Sequence, residues 1–333
     1  MTWNMKEWAS ELVNAPVKKP LPLLSFPCTQ LMGVNVRQLI SDASLQAKGM
    51  KLVADRVPSA AAVSLMDLSV ESEAFGASIR ISENEVPTVV GAMISEEEEA
   101  NALKVPAVGT GRTGLCVEAI RLAAQQITDR PVLAGIIGPY SLASRLMDVS
   151  ETMIYCYDEP DMVHTVLEKA TAFLVDYCNA FRDAGAGGVV MAEPMAGMLS
   201  PALAEEFSHP YVKKIIDAVQ TEEFCVIYHN CGNNVPVMID GIYALGALGY
   251  HFGDAIDLMS VLPKAPADAL VLGNVSPTAQ FCGGTPQSIM EATKELLAVC
   301  GSYPNFVISS GCDIPPRSPW ENIDAFFRTA MES

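Results

Sequence analysis

Two short segments of the chain carry residues whose types and spacing suit a metal ion. His229-Asn230-Cys231-Gly232 follows directly on the apolar run Cys225-Val226-Ile227-Tyr228. On an extended chain residues i and i+2 share a face, so an imidazole and a thiol leave that run side by side. Zinc takes such ligands at about 2.0–2.1 Å (nitrogen) and about 2.3 Å (sulfur). A third ligand is offered by Cys312 in Ser309-Ser310-Gly311-Cys312-Asp313, at the end of another apolar run. Gly232 and Gly311 flank the two sites and are expected to let the backbone turn tightly around an ion. A His/Cys/Cys set leaves one tetrahedral position open for substrate, as catalytic zinc requires. A lone His-x-Cys arises often by chance, and Cys312 is what gives the pair meaning. Glu193, in Met191-Ala192-Glu193-Pro194, offers a fourth ligand, a base, or a plain structural acceptor.

These residues need a frame that brings distant segments to one place. Eight short β-rich runs are read at residues 21–27, 61–68, 132–137, 188–192, 225–229, 249–252, 270–273 and 306–309. Several are apolar throughout, which predicts strands covered on both faces and hence a parallel sheet. Helical spacing of apolar residues fills most gaps, notably 161–184, 201–219, 285–299 and about 319–331, three of them opening on Ser-Pro or Thr-Pro. Eight strand–helix units predict a (β/α)₈ TIM barrel, with a doubly wound open sheet as the alternative. The chain reads as one domain over 1–333, with an N-terminal helical extension over 1–20. Residues 72–85 read as a hairpin or excursion, and Gly109-Thr110-Gly111-Arg112-Thr113-Gly114 as a mobile loop. The latter lacks a P-loop ending. In a barrel, working residues sit at the C-terminal ends of strands. Asp67, Tyr140, Glu193, His229, Cys231, Asn274 and Cys312 all fall there.

Composition narrows the function classes. The chain has 333 residues, 50% hydrophobic and 18% charged, with a net charge of −18. That balance predicts a large core and offers no overall basic surface for nucleic acid or anionic lipid. No apolar run approaches the ~20 residues of a spanning helix, and the first twelve residues do not read as a signal peptide. A cytoplasmic protein without a membrane partner is expected. Nine cysteines set mostly in apolar runs suit reduced core thiols plus a few ligands.

The motifs, taken in order, resemble the uroporphyrinogen decarboxylase superfamily, and within it the methylcobamide:thiol methyltransferases of the coenzyme M type. The resemblance is carried by Met66-Asp67-Leu68-Ser69-Val70-Glu71, Gly138-Pro139-Tyr140-Ser141, Glu193-Pro194 and His229-Asn230-Cys231-Gly232. Gly273-Asn274-Val275-Ser276-Pro277 and Ser309-Ser310-Gly311-Cys312-Asp313 complete it. It implies a (β/α)₈ fold and zinc (Zn2+) held at the positions of His229, Cys231 and Cys312, where the ion activates an acceptor thiol. The thiolate would then take a methyl group from a methylated corrinoid. No Asp-x-His-x-x-Gly cobalamin-ligating motif is present, so a separate corrinoid protein is the expected partner beside a small thiol acceptor such as coenzyme M. Glu193 would accept the thiol proton or complete the coordination sphere. Asp67, Tyr140 and Asn274 would line the mouth and orient the acceptor. Two other readings stand beside this one: a metal-free decarboxylase of a tetrapyrrole, and a non-catalytic zinc-bearing subunit. The decarboxylase reading is disfavoured because Ser25-Phe26-Pro27-Cys28-Thr29-Gln30 has no arginine for substrate carboxylates.

Overall fold

A computed structural model describes residues 2–332 of the chain. Its centre is a parallel sheet of seven strands, flanked by helices. The strands are β1 (Ala62–Val63), β4 (Val132–Ile137), β5 (Gly188–Ala192), β6 (Cys225–Asn230), β7 (Gly249–Phe252), β8 (Leu270–Val275) and β9 (Phe306–Ser310), neighbours in that order. Two further strands, β2 (Ile79–Arg80) and β3 (Thr88–Val89), form a separate antiparallel ribbon. Nearly every residue of β4 to β9 is buried, as expected for strands covered on both faces.

Alternation along each strand sorts side chains between two apolar layers. Leu133, Val190, Ile227, Leu272 and Val307 pack together on the inner side with Leu21 and Leu23. Val189, Met191, Val226, Tyr228 and Ile308 join the outer layer beneath the helices. The inner set on β6 is therefore Cys225 and Ile227, and the next residue in that register is His229.

The first expected strand, 21–27, is not formed as a ladder strand. Prolines at 20 and 22 remove the N–H groups that a ladder needs. The segment is nonetheless tied on both sides. Leu21 N donates to Ile308 O at 3.0 Å, Ile314 N to Leu23 O at 3.0 Å, and Ala60 N to Pro20 O at 2.8 Å. The expected 61–68 strand is cut to two residues, because after Ser64 the chain turns into a knot of polar contacts around Asp67.

The N-terminal extension contains a helix over Met5–Asn14, capped by the Asn4 side chain on Glu7 N. Trp8 Nε1 donates to Ala60 O at 3.1 Å and Met5 N to Glu222 O at 2.6 Å. Both acceptors precede strands, so this helix covers the end of the sheet opposite the strand exits. The expected 201–219 helix is two helices, Pro201–Phe207 and His209–Val219. Pro210 cannot bond back and its ring clashes with the preceding turn, which breaks the run at Ser208. The excursion after β1 is a short helix, Val70–Ala74, followed by the β2–β3 ribbon with Ile79 opposite Val89.

Candidate metal centre

His229 is the fifth residue of β6 and points to the inner side, in register with Ala192 on β5 and His251 on β7. Cys231 follows one residue beyond the strand, and Cys312 lies two residues beyond β9. One ligand atom from each of the three lies within 4.8 Å of the others. Cys312 Sγ is 3.5 Å from His229 Nε2. A tetrahedral zinc with the bond lengths given above has an N···S edge of about 3.5–3.6 Å, so the donor set fits that ion. His229 is buried, and the two cysteines are half-buried.

The second ring nitrogen of His229 is engaged as well. His229 Nδ1 lies 2.7 Å from His251 Nδ1 and 3.2 Å from His251 O. The two rings meet edge to face, 4.7 Å between centroids. His251 Nε2 is 2.8 Å from Ser309 Oγ, which donates to Leu21 O at 2.7 Å. Burial holds the His251 imidazole neutral, its pKa well below the ordinary value, with His229 acting in the same direction. The two thiols are hydrogen-bonded to each other. The hydrogen bond from Cys312 lowers the Cys231 pKa, and the same bond with burial pushes Cys312 up to about 12.

The flanking glycines serve a different purpose from the one expected. Neither Gly232 nor Gly311 adopts a positive φ. A Cβ on Gly232 would strike the backbone of Gly197, and one on Gly311 would lie 2.6 Å from Asp254 N. The glycines make room for the loops after β5 and β7, which close over the turns that carry the cysteines.

Glu193 continues β5 in the outward register, beside Met191, so its carboxyl faces the helix layer and is not one of the clustered ligand atoms. Ser141 N, in the first turn of the Pro139–Met147 helix, donates to Oε1 at 3.2 Å. Burial pushes the Glu193 pKa up to about 8. Its backbone N–H donates to His229 O at 2.8 Å, tying it to the ligand strand. Tyr140 is fully buried, and its hydroxyl meets Cys156 Sγ at 3.9 Å. Asn274 donates to Gly253 O at 2.8 Å and Ile256 O at 2.6 Å, holding the loop that carries Asp254.

Asp67 is buried in an ion pair with Arg112, which also donates to Glu73 at 2.5 Å and to Ser69 Oγ at 2.8 Å. The Gly109–Gly114 stretch is therefore pinned through Arg112, where the glycine content alone suggested mobility. Beside it Glu71 is fully buried, and desolvation raises its pKa to about 7. Glu71, Arg112, Ser309 and His251 are the polar residues that sequence reasoning left unassigned or weak. His251 carried the clearest signal, a histidine inside an apolar strand. All nine cysteines are unpaired.

Comparison with known proteins places the chain in a family. The uroporphyrinogen decarboxylase (URO-D) family profile matches residues 24–333. The methylcobamide:CoM methyltransferase MtbA of Methanosarcina acetivorans is 27% identical over 272 residues, 79% of this chain and 77% of the relative. A uroporphyrinogen decarboxylase of Coxiella burnetii is also 27% identical, over 286 residues, 81% of this chain and 76% of the relative. Among solved structures, a methyltransferase from Methanosarcina mazei superposes with a TM-score of 0.87 at 25% identity, covering 100% of this chain and 99% of that one. With the family profile covering all but the first 23 residues, the chain belongs to the uroporphyrinogen decarboxylase family.

Proposed function

We propose that this protein is a zinc-dependent methyltransferase that moves a methyl group from a methylated corrinoid, carried by a corrinoid protein, to a small thiol such as coenzyme M. The observation that carries the reading is the convergence of His229, Cys231 and Cys312 from two strand ends. Percent identity does not separate the two branches of the family, since both kinds of relative stand at 27%. A tetrapyrrole decarboxylase working without metal would have no use for two thiols and an imidazole gathered within 4.8 Å of one another.

His229, Cys231 and Cys312 would hold the zinc, which would supply a charge that lowers the pKa of an acceptor thiol, about 8.5 when free. Glu193, whose carboxyl is turned to Ser141 N and whose N–H donates to His229 O, we assign to positioning the end of the ligand strand, and the thiol proton passes to solvent. The corrinoid would supply the methyl group to the acceptor sulfur and would keep the electron pair of the methyl–cobalt bond that breaks. Asn274 fixes the 253–256 loop and Asp67 the 109–114 loop, and we assign both to shaping the acceptor's place. The Tyr140 hydroxyl is occupied with Cys156 and takes a packing role.

The reading also includes a single barrel domain. Residues 20–26, bonded to both β9 and the segment that leads into β1, act as its eighth, irregular stave, with residues 2–19 outside it. Among the described residues no helix is long and apolar enough to cross a membrane.

Metal analysis of the purified protein beside His229→Ala and Cys312→Ser tests the proposal. About one zinc per chain is expected in the wild type, with loss in both variants, followed by chelator-sensitive methylation of coenzyme M from methylcobalamin. A wild-type protein that stays metal-free after zinc reconstitution would return the chain to the decarboxylase reading.

A further inference from the structure

We propose that His251 is a positioning residue which, through Ser309 and the Leu21 carbonyl, holds the imidazole of His229 in the one tautomer able to ligate zinc through Nε2. The inference rests on the metal site proposed above and deepens it.

The direction of the hydrogen-bond chain is fixed from both ends. Leu21 O can only accept, so Ser309 Oγ–H donates to it at 2.7 Å. Having used its proton there, Ser309 Oγ accepts from His251 Nε2 at 2.8 Å. That places the His251 proton on Nε2 and leaves Nδ1 with a lone pair. At the other end, His229 Nδ1 faces His251 Nδ1 at 2.7 Å and His251 O at 3.2 Å. A carbonyl accepts only, so both neighbours call for a proton on His229 Nδ1. The lone pair of His229 is then on Nε2, the atom that lies 3.5 Å from Cys312 Sγ.

The chain is dry as well as directional. His251 and Ser309 are fully buried, so water does not compete for these bonds. Histidine ligands commonly donate their second N–H to a carboxylate, a carbonyl or water, which orients the ring and raises its basicity. Here a second histidine takes that place, and the chain ends on the backbone of the irregular segment between β9 and β1. The metal ligand is thus anchored to the part of the fold with the fewest ladder bonds.

Zinc affinity measured by competition with a chromogenic chelator, together with the absorption spectrum of the cobalt(II)-substituted protein, tests this. His251→Phe keeps the ring volume and removes the acceptor. It should weaken zinc binding about 10–100-fold and alter the cobalt(II) ligand-field bands. Ser309→Ala perturbs the core less and should weaken binding in the same direction by a smaller factor. His251→Gln can accept from His229 through its amide oxygen and donate to Ser309 through its amide nitrogen, so it should recover most of the loss. Wild-type affinity and spectrum in both His251→Phe and Ser309→Ala would overturn the inference while leaving the zinc reading standing. Loss in His251→Phe without recovery in His251→Gln would also overturn it, since bulk and not hydrogen bonding would then be at issue. A wild-type protein that binds no zinc would overturn both.

Discussion

Two buried carboxyls show how position sets chemistry for a single residue type. Glu71 and Glu193 are both fully enclosed, with pKa values raised from 4.5 to about 7 and about 8 respectively, burial being the first cause in each. A carboxyl whose folded pKa lies above its unfolded value binds a proton in the native state that the unfolded chain has lost. Stability from each is present below about pH 4.5 and declines as pH rises through the folded pKa. For Glu71 the window runs from about 4.5 to about 7. Glu71→Gln should therefore match the wild type near pH 4.5 and gain on it by roughly 1.4 kcal/mol per pH unit at most across that window. Denaturant unfolding at pH 5, 6 and 7 reads this directly, and parallel curves for the two proteins would refute it. For Glu193 the same physics holds over a wider window, from about 4.5 to about 8. Glu193→Gln should likewise gain on the wild type as pH rises across that window, and a pH-independent difference in unfolding free energy would refute it.

Elements decide which residues meet, and here sequence and structure part in instructive places. Strands β4, β5 and β7 begin and end where the apolar runs do, because runs covered on both faces have sharp limits in the sequence. The same double burial hides the register. Met191 and Ile227 look alike as strand residues, yet one faces the helices and the other the interior, and that difference sends Glu193 outward and His229 inward. Pro20 just before the first run and Pro22 within it explain why it forms no ladder. The anchoring of the glycine-rich loop was not visible, because it depends on Arg112 reaching Asp67 across 45 positions of sequence. Arg112 is buried, so Arg112→Ala leaves the Asp67 charge without its partner and should cost about 3–5 kcal/mol. Arg112→Met combined with Asp67→Asn should cost clearly less than the two single changes added together. Additive losses in a double-mutant cycle would show the pair to be uncoupled. The close approaches at the site glycines make a second test of element packing. Gly311→Ala places a methyl group 2.6 Å from Asp254 N, so the turn bearing Cys312 must shift. Zinc affinity should fall at least about tenfold while the fold persists, since metal ligands tolerate displacements of only about 0.2 Å. Chelator competition and circular dichroism on the same sample separate the two effects.

Across the whole molecule the two ends of the sheet have different tasks. The strand exits gather His229, Cys231 and Cys312, together with the loops that pack against them. The opposite end is covered by the Met5–Asn14 helix, whose Met5, Trp8, Ala9 and Leu12 are buried. Trp8 packs within the same apolar layer as Leu133, Ile227 and Leu272, the inner faces of three strands. Its indole N–H is satisfied by Ala60 O. In a parallel α/β fold of this kind the N-terminal face serves stability and the C-terminal face chemistry. Trp8→Ala removes a large buried side chain and should destabilise the protein by about 3–5 kcal/mol. Because the change lies at the far end of the strands, zinc stoichiometry and the KM for the thiol should stay at wild-type values at a temperature where the variant is folded. Cys312→Ser should do the reverse in the metal-free protein, leaving unfolding within about 1 kcal/mol of wild type while abolishing zinc binding. If Trp8→Ala instead weakened zinc binding as strongly as it weakened the fold, the inner apolar layer would be transmitting strain along the strands. The separation of the two ends would then fail as a description of this molecule.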